Sequence, residues 1–295
     1  MNTITVIGAG TMGNGIAHAF AARSFNVRLL DLRPEALEAA RTTIARNLDR
    51  QIKKELIDEA EKTATLDRIQ THTELAEAVE GAALVVEAAT ENLAVKQQLF
   101  QAMSNHCAPD AVLATNTSSI SITKIAAVTV RPERVIGMHF MNPVPVMPLV
   151  EIINGYRTDP AVTEFIVRTV EQLGKTPLVV NDYPGFVANR ILMPMINEAI
   201  IALHEGAAGV IAIDQIMQLG MAHPMGPLRL ADFIGLDVCL SIMRVLHEGL
   251  GSDKYAPCPL LVNMVEAGRL GVKSGEGFYD YAEGPKSLVV AGRFR

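Results

Sequence analysis

The chain has 295 residues, nearly half of them apolar and a fifth charged, which is enough for two domains with sizeable cores. A formal net charge of −6 argues against nucleic acid as a partner. Three cysteines without C-x-x-C or ligand spacing argue against a disulfide framework or a metal, no apolar run reaches the ~18 residues that span a membrane, and a first strand starting at residue 3 or 4 leaves no room for a leader; the expectation is a soluble cytoplasmic protein.

The rest of the chain is organised around its first stretch. Residues 4–7 (Ile-Thr-Val-Ile) read as a β-branched strand running into Gly8-Ala9-Gly10-Thr11-Met12-Gly13, a Gly-x-Gly-x-x-Gly turn, and then a helix over 14–23. In such a turn Gly8 permits the tight reversal, Gly10 lets a pyrophosphate approach the backbone, and Gly13 lets helix and strand pack closely. The helix start offers N–H groups and a positive dipole end to phosphates. A second strand, 26–30, ends in Asp31, eighteen residues past Gly13. An acid there can accept both hydroxyls of an adenosine ribose and repel a 2′-phosphate; the plainer reading is a cap for the helix starting at Pro34.

A long polar helical region follows over 34–68, with a break at Leu56-Ile57-Asp58 and basic residues that include Arg50, Lys53 and Lys54. It exceeds what a crossover needs, so it reads as an arm at the sheet edge; spacing alone favours a solvated face over a binding surface. Strand–helix alternation then resumes: strands at 68–71, 83–88, 111–116, 135–140, 149–153 and 177–180, and helices at 94–105 and 160–173. These repeats imply an α/β fold with a Rossmann-type doubly wound parallel sheet, whose ligands lie beyond the carboxyl ends of the strands. Near residue 184 the texture becomes helical (189–205, 212–219, 235–248, 259–267). The expected domains are therefore 1–184, dinucleotide-binding, and 185–295, all-helical, with helices apolar enough to need a face buried elsewhere.

His139 stands at the end of the 135–140 strand, where a cofactor's reactive end would lie, and Glu151 follows twelve residues later on a neighbouring strand. A carboxylate behind an imidazole fixes its tautomer and stabilises the imidazolium, as alcohol oxidation by a nicotinamide requires. Spacing alone leaves an unconnected His and Glu equally open. Ser118 could reach the same cleft or cap the next helix. Asn189, in Pro-Gly-Phe-Val-Ala-Asn-Arg, could meet a substrate oxygen held between the domains. Glu91 and Lys96 follow the 83–88 strand and suit the nicotinamide half of a dinucleotide.

Together these stretches resemble the L-3-hydroxyacyl-CoA dehydrogenases, particularly the bacterial 3-hydroxybutyryl-CoA dehydrogenases. The carriers are IGAGTMGNGIA (7–17), VVEAATENL (85–93), NTSS (116–119), HFMNPVPVMPLVE (139–151), PGFVANRILMPMI (184–196), HPMGPLRLADFIGLD (223–237) and KSGEGFYDY (273–281). The resemblance implies His139 as catalytic base with Glu151 as its orienting partner, and Ser118 and Asn189 on the 3-oxygen of an acyl-CoA. It also implies an NAD site of Gly8, Gly10, Thr11, Met12, Gly13, Asp31, Glu91, Lys96 and Asn142, with Arg50, Lys53 and Lys54 on the CoA phosphates. NAD is expected over NADP, although Arg33 softens the rejection of a 2′-phosphate, and a homodimer through the helical domain is expected; no metal is needed. Met141 stands where the family has Phe, Gly209-Val210-Ile211-Ala212 replaces a more acidic stretch, and residues 282–295 run past the usual end and are expected to fray. The rival readings are a dehydrogenase of a free hydroxy acid and a catalytically silent dinucleotide-binding relative.

Overall fold

The computed structural model describes residues 3–295. The chain divides after Tyr183 into one compact unit up to that residue and a second, Pro184–Arg295.

In the first unit the elements run β1 (Thr3–Ile7), α1 (Thr11–Ala21), β2 (Asn26–Leu30), α2 (Pro34–Ile52), α3 (Glu59–Asp67), β3 (Ile69–His72), α4 (Leu75–Val79), β4 (Leu84–Glu87), α5 (Leu93–His106), β5 (Val112–Thr115), α6 (Ile122–Ala126), β6 (Val135–Phe140), β7 (Leu149–Asn154), α7 (Pro160–Gln172) and β8 (Thr176–Asn181). They form one eight-stranded sheet in the order β3-β2-β1-β4-β5-β6-β7-β8. Neighbours pair in parallel except β6 and β7, which are antiparallel. The exception has a plain cause: only residues 141–148 join those two strands, and a parallel return needs a crossover of a dozen or more. Strands β4, β5 and β6 are buried along their whole length, as strands covered on both faces must be. The order reverses between β1 and β4, which is the switch point where such sheets bind ligands.

Two of the glycines in the first turn are dictated by geometry. Gly8 has φ +99°, and a Cβ on it would lie 2.6 Å from the Ala88 carbonyl oxygen. A Cβ on Gly13 would sit on the Gly8 carbonyl oxygen, so α1 could not approach β1 as closely. On the helix, Ile16, Ala17, Ala19 and Phe20 are buried, with Phe20 edge-on to Phe25.

The arm is a helical hairpin. Helix α2 buries Leu37, Ala40, Ile44 and Leu48, a stripe at i, i+3, i+7 and i+11 that seals it to the core shared with α1. The break falls where Asp58 forms a reciprocal capping box with Glu61 and starts α3.

The second unit contains α8 (Ala188–His204), α9 (Val210–Gln215), which runs on as a wider helical turn over Ile216–Gly220, α10 (Pro227–Ile234), α11 (Leu236–Leu250) and α12 (Pro259–Glu266). Helix α10 is absent from the periodicity reading because Gly226-Pro227 and Gly235 confine it to two turns. The helices enclose a separate core that includes Met193, Ile196, Leu240, Met243 and Phe278. A short hairpin, β9 (Tyr279–Asp280) with β10 (Val289–Val290), is added to the helices. This corrects the expectation for residues 282–295. The tail folds back: Ala291 donates to the Phe278 carbonyl at 3.0 Å and is fully buried, and the Phe294 ring packs 5.7 Å from that of Phe278. A tail that pairs with a strand and packs a partly buried aromatic ring against the core has reason to stay in place. The unexplained stretch at Gly209 now has partners: Val210 enters the core, while Ile211 and Ala212 line a groove with Leu288, Val289 and Val290 of the tail.

Candidate active site

Strand register makes the first pair. His139 and Glu151 are direct antiparallel partners on β6 and β7, so their side chains stand side by side on one face of the sheet. The His139 Nδ1 lies 2.8 Å from the Glu151 Oε2, and both side chains are almost wholly buried. A carboxylate can only accept, so Nδ1 carries the hydrogen and Nε2 is the ring's basic nitrogen.

The ends of β4 and β5 build a second cluster. Lys96, one turn into α5, is 2% exposed and places its ammonium 2.8 and 2.7 Å from the two oxygens of Glu87, which is fully buried at the end of β4. The Thr115 hydroxyl and the Ala89 N–H also donate to Glu87, at 2.7 and 2.8 Å. Burial of two charges is tolerable only with such complete pairing. Glu91 stands 3.7 Å from the same ammonium, and its Oε1 accepts from the Thr117 hydroxyl (2.6 Å), the Ser118 N–H (3.0 Å) and the hydroxyls of Ser118 and Ser119 (3.2 and 3.1 Å). Ser118 therefore stands with Glu91. The cap of α6 is Ser121, which accepts from the Lys124 N–H, so the capping alternative for Ser118 does not hold.

Asp31 ends β2 and reaches back to the glycine turn. Its Oδ2 accepts from the Ala9 N–H at 2.9 Å and its Oδ1 from the Arg33 N–H at 3.1 Å. Burial raises its pKa, but these hydrogen bonds and the Arg33 guanidinium 3.4 Å away outweigh that and hold the carboxyl below its usual value. The residue capping α2 is Arg33, without a side-chain bond, so Asp31 is not that cap. Gly10 and Thr11 are exposed at the start of α1, Met12 is partly buried beside them, and a Cβ on Gly10 would meet nothing within 4 Å. Anionic Asp31, an open Gly10 and the start of α1 thus suit a dinucleotide. Asn142 is exposed just after β6.

Arg50, Lys53 and Lys54 are exposed around the end of α2 at the tip of the arm, where Arg50 donates to the Asn47 side chain at 3.3 Å. In the second unit, Asn189 is buried in the first turn of α8. Beside it lies an apolar pocket of about 630 Å³, walled on one side by Val187, Ala188, Ile191, Leu192 and Met195 and on the other by residues 223–225 and Leu230.

Sequence reasoning passed over Glu87, Thr115, Thr117 and Ser119. A usable signal existed: an acid closing an otherwise apolar strand, with a lysine nine residues on, at the distance of one short turn plus the first turn of a helix.

A doubly wound sheet with a dinucleotide turn, and a histidine–carboxylate pair on the carboxyl side of its strands, defines the class: a nicotinamide-dependent dehydrogenase. Residues 3–183 match the family model for the NAD-binding domain of 3-hydroxyacyl-CoA dehydrogenase, and residues 185–281 match that for its C-terminal domain. The chain belongs to the 3-hydroxyacyl-CoA dehydrogenase family. It is 54% identical to a 3-hydroxybutyryl-CoA dehydrogenase of Bradyrhizobium diazoefficiens over 278 residues, 94% of each chain. It is 44% identical to one from Clostridioides difficile, over 94% of this chain and 99% of that one. The crystal structure of (S)-3-hydroxybutyryl-CoA dehydrogenase from Ralstonia eutropha superposes with a TM-score of 0.93 at 48% identity, covering 96% of this chain and 99% of the other. The chain is accordingly an NAD-linked oxidoreductase of the CH–OH group of 3-hydroxyacyl-CoA, and the rival readings are not favoured.

Proposed function

We propose that this protein interconverts short-chain (S)-3-hydroxyacyl-CoA and 3-oxoacyl-CoA, using NAD in preference to NADP, as a cytoplasmic homodimer. The observation that carries the chemistry is the 2.8 Å bond between His139 and Glu151. Bound NAD would supply the hydride acceptor for carbon 3 of the substrate. His139 takes the hydroxyl proton on Nε2, and the Glu151 carboxylate stabilises the imidazolium through Nδ1–H. In the reverse direction the same imidazolium returns the proton to the 3-oxygen. Ser118, whose N–H donates to Glu91, and Asn189 are assigned to hydrogen-bond that oxygen, the one Ser118 hydroxyl hydrogen turning to it from Glu91. Gly8, Gly10, Thr11, Met12, Gly13 and Asn142 are assigned to the dinucleotide, with Asp31 on the ribose hydroxyls. Glu91 and Lys96 are assigned to the nicotinamide half, and Lys96 does so while neutralised by Glu87.

Two features support the substrate. Relatives over 50% identical across nearly their whole length are named for 3-hydroxybutyryl-CoA. The pocket beside Asn189 is apolar, which suits an acyl group. Arg50, Lys53 and Lys54 offer cations to the CoA phosphates.

The deciding assay compares acetoacetyl-CoA, its pantetheine thioester and free acetoacetate, each with NADH and NADPH. Acetoacetyl-CoA with NADH is expected to be preferred. Charge reversal at Arg50, Lys53 and Lys54 is expected to raise KM for the CoA thioester and leave that for the pantetheine thioester unchanged. Equal kcat/KM for the thioester and the free acid would overturn the assignment of substrate, and equal use of NADPH would overturn that of cofactor.

A further inference from the structure

The wall of the apolar pocket formed by residues 223–230 is held by a carboxylate outside it. Helix α10 begins at Pro227, which has no N–H, and its capping position is Gly226, which has no side chain. The next two N–H groups, of Leu228 and Arg229, are satisfied from a distance by Asp214 on α9: its Oδ1 accepts from Leu228 at 2.8 Å and its Oδ2 from Arg229 at 3.1 Å. The Tyr279 hydroxyl donates to the same Oδ2 at 2.7 Å, so the anion is tied also to β9. Asp214 is 3% exposed, and the fit is close, because a Cβ on Gly226 would fall 2.2 Å from its Cγ. Leu230 in the first turn of α10 and Met225 just before it line the pocket.

We propose that Asp214, braced by Tyr279, is a positioning residue that fixes the start of α10 and thereby sets the acyl-chain length the pocket accepts. It touches no reacting atom and acts through Leu228, Arg229 and the wall that follows them. The proposal rests on the reading of this pocket as the acyl site.

The test is a kcat/KM series over acetoacetyl-, 3-oxohexanoyl-, 3-oxooctanoyl- and 3-oxodecanoyl-CoA with NADH. It is run on the wild type, Asp214→Asn, Tyr279→Phe and, as a probe of the pocket itself, Leu230→Phe. Asp214→Asn puts an amide donor against an N–H, and the loosened wall is expected to admit longer chains. The preference for acetoacetyl-CoA over 3-oxooctanoyl-CoA should fall about fivefold, through KM, with a smaller fall of about twofold in Tyr279→Phe. The kcat on acetoacetyl-CoA and KM for NADH should stay within about twofold of wild type. Leu230→Phe should shift the profile toward shorter chains. If Leu230→Phe shifts the profile but the other two variants do not, the positioning role is overturned and the pocket reading survives. If Leu230→Phe also leaves the profile unchanged, the pocket reading falls and the proposal falls with it. A uniform loss at every chain length with a raised KM for NADH marks Asp214 as merely structural, which also overturns the proposal. Should Asp214→Asn not fold, Tyr279→Phe decides the matter, since it deletes one donor and keeps both bonds to α10.

Discussion

At the scale of single residues, His139 has one task that the neighbouring Glu151 makes possible. Replacing it with glutamine keeps a polar side chain in hydrogen-bond reach of Glu151 but removes the base. His139→Gln is expected to lower kcat by at least about 100-fold while leaving the Kd for NADH near wild type, measured by stopped-flow turnover and fluorescence titration. Turnover near wild type would remove His139 from the mechanism. Asp232 poses the opposite case, a buried carboxylate with no part in the chemistry. It accepts from the Phe278 and Tyr279 N–H groups and the Tyr281 hydroxyl, each at 3.0 Å. Burial pushes its pKa up from 3.8 to about 6, with the Asp214 charge adding to the rise and the three hydrogen bonds opposing it. An acid raised in the folded state binds its proton better there, so this contribution to stability is present below pH 3.8 and is lost as pH rises to about 6. The loss across that window is about 3 kcal/mol. Asp232→Asn is expected to be less stable than wild type at every pH, by a margin that shrinks as pH rises from 4 to 6.5; urea unfolding at a series of pH values measures it, and a constant margin would exclude this linkage.

Among the elements, the buried Lys96–Glu87 pair joins α5 to the end of β4 and is costly to disturb. Lys96→Met leaves Glu87 buried without its cation and is expected to cost about 3–5 kcal/mol. Lys96→Met with Glu87→Leu is expected to recover most of that in denaturant unfolding, because two apolar groups need no compensation. Failure of the double variant to regain stability would show that the Thr115 and Ala89 donors, orphaned by the loss of Glu87, cost as much as the bare charge. The antiparallel step from β6 to β7 matters in the same way. A crossover helix there would have delivered β7 in parallel and changed which residue faces His139.

For the whole molecule, the question is what covers the apolar surface of the second unit. Ile216, Leu219 and Met221 are large and exposed there, at 59%, 85% and 62%. Scattered apolar residues are ordinary, but three on the helices of a unit this small favour a partner surface. The homodimer proposed above is expected to give twice the chain's 31.8 kDa in light scattering at micromolar concentration. A monomer mass there would exclude it. Leu219→Glu is expected to shift the equilibrium toward monomer, since it would place a charge in the contact.

The sequence alone determined the features whose causes are local. The glycine turn, the strand that precedes it and the acid at the end of the next strand are close in the chain, and Gly8 and Gly13 are required by clashes that any backbone of this shape would produce. The capping box at Asp58 was legible as a break for the same reason, because capping acts within one helical turn. His139 and Glu151 were visible as candidates, but their pairing was not, since it depends on a register that turns on the direction of β7. The Glu87–Lys96 bridge, the Asp214 hold on α10 and the folded tail escaped the sequence for a common reason. Each joins groups that approach only when separate elements pack, and hydrophobic periodicity says which side of an element faces inward without saying what it meets there. Tertiary structure alone decides those partners, because the cost of burying a charge or an aromatic ring is settled by its neighbours in space.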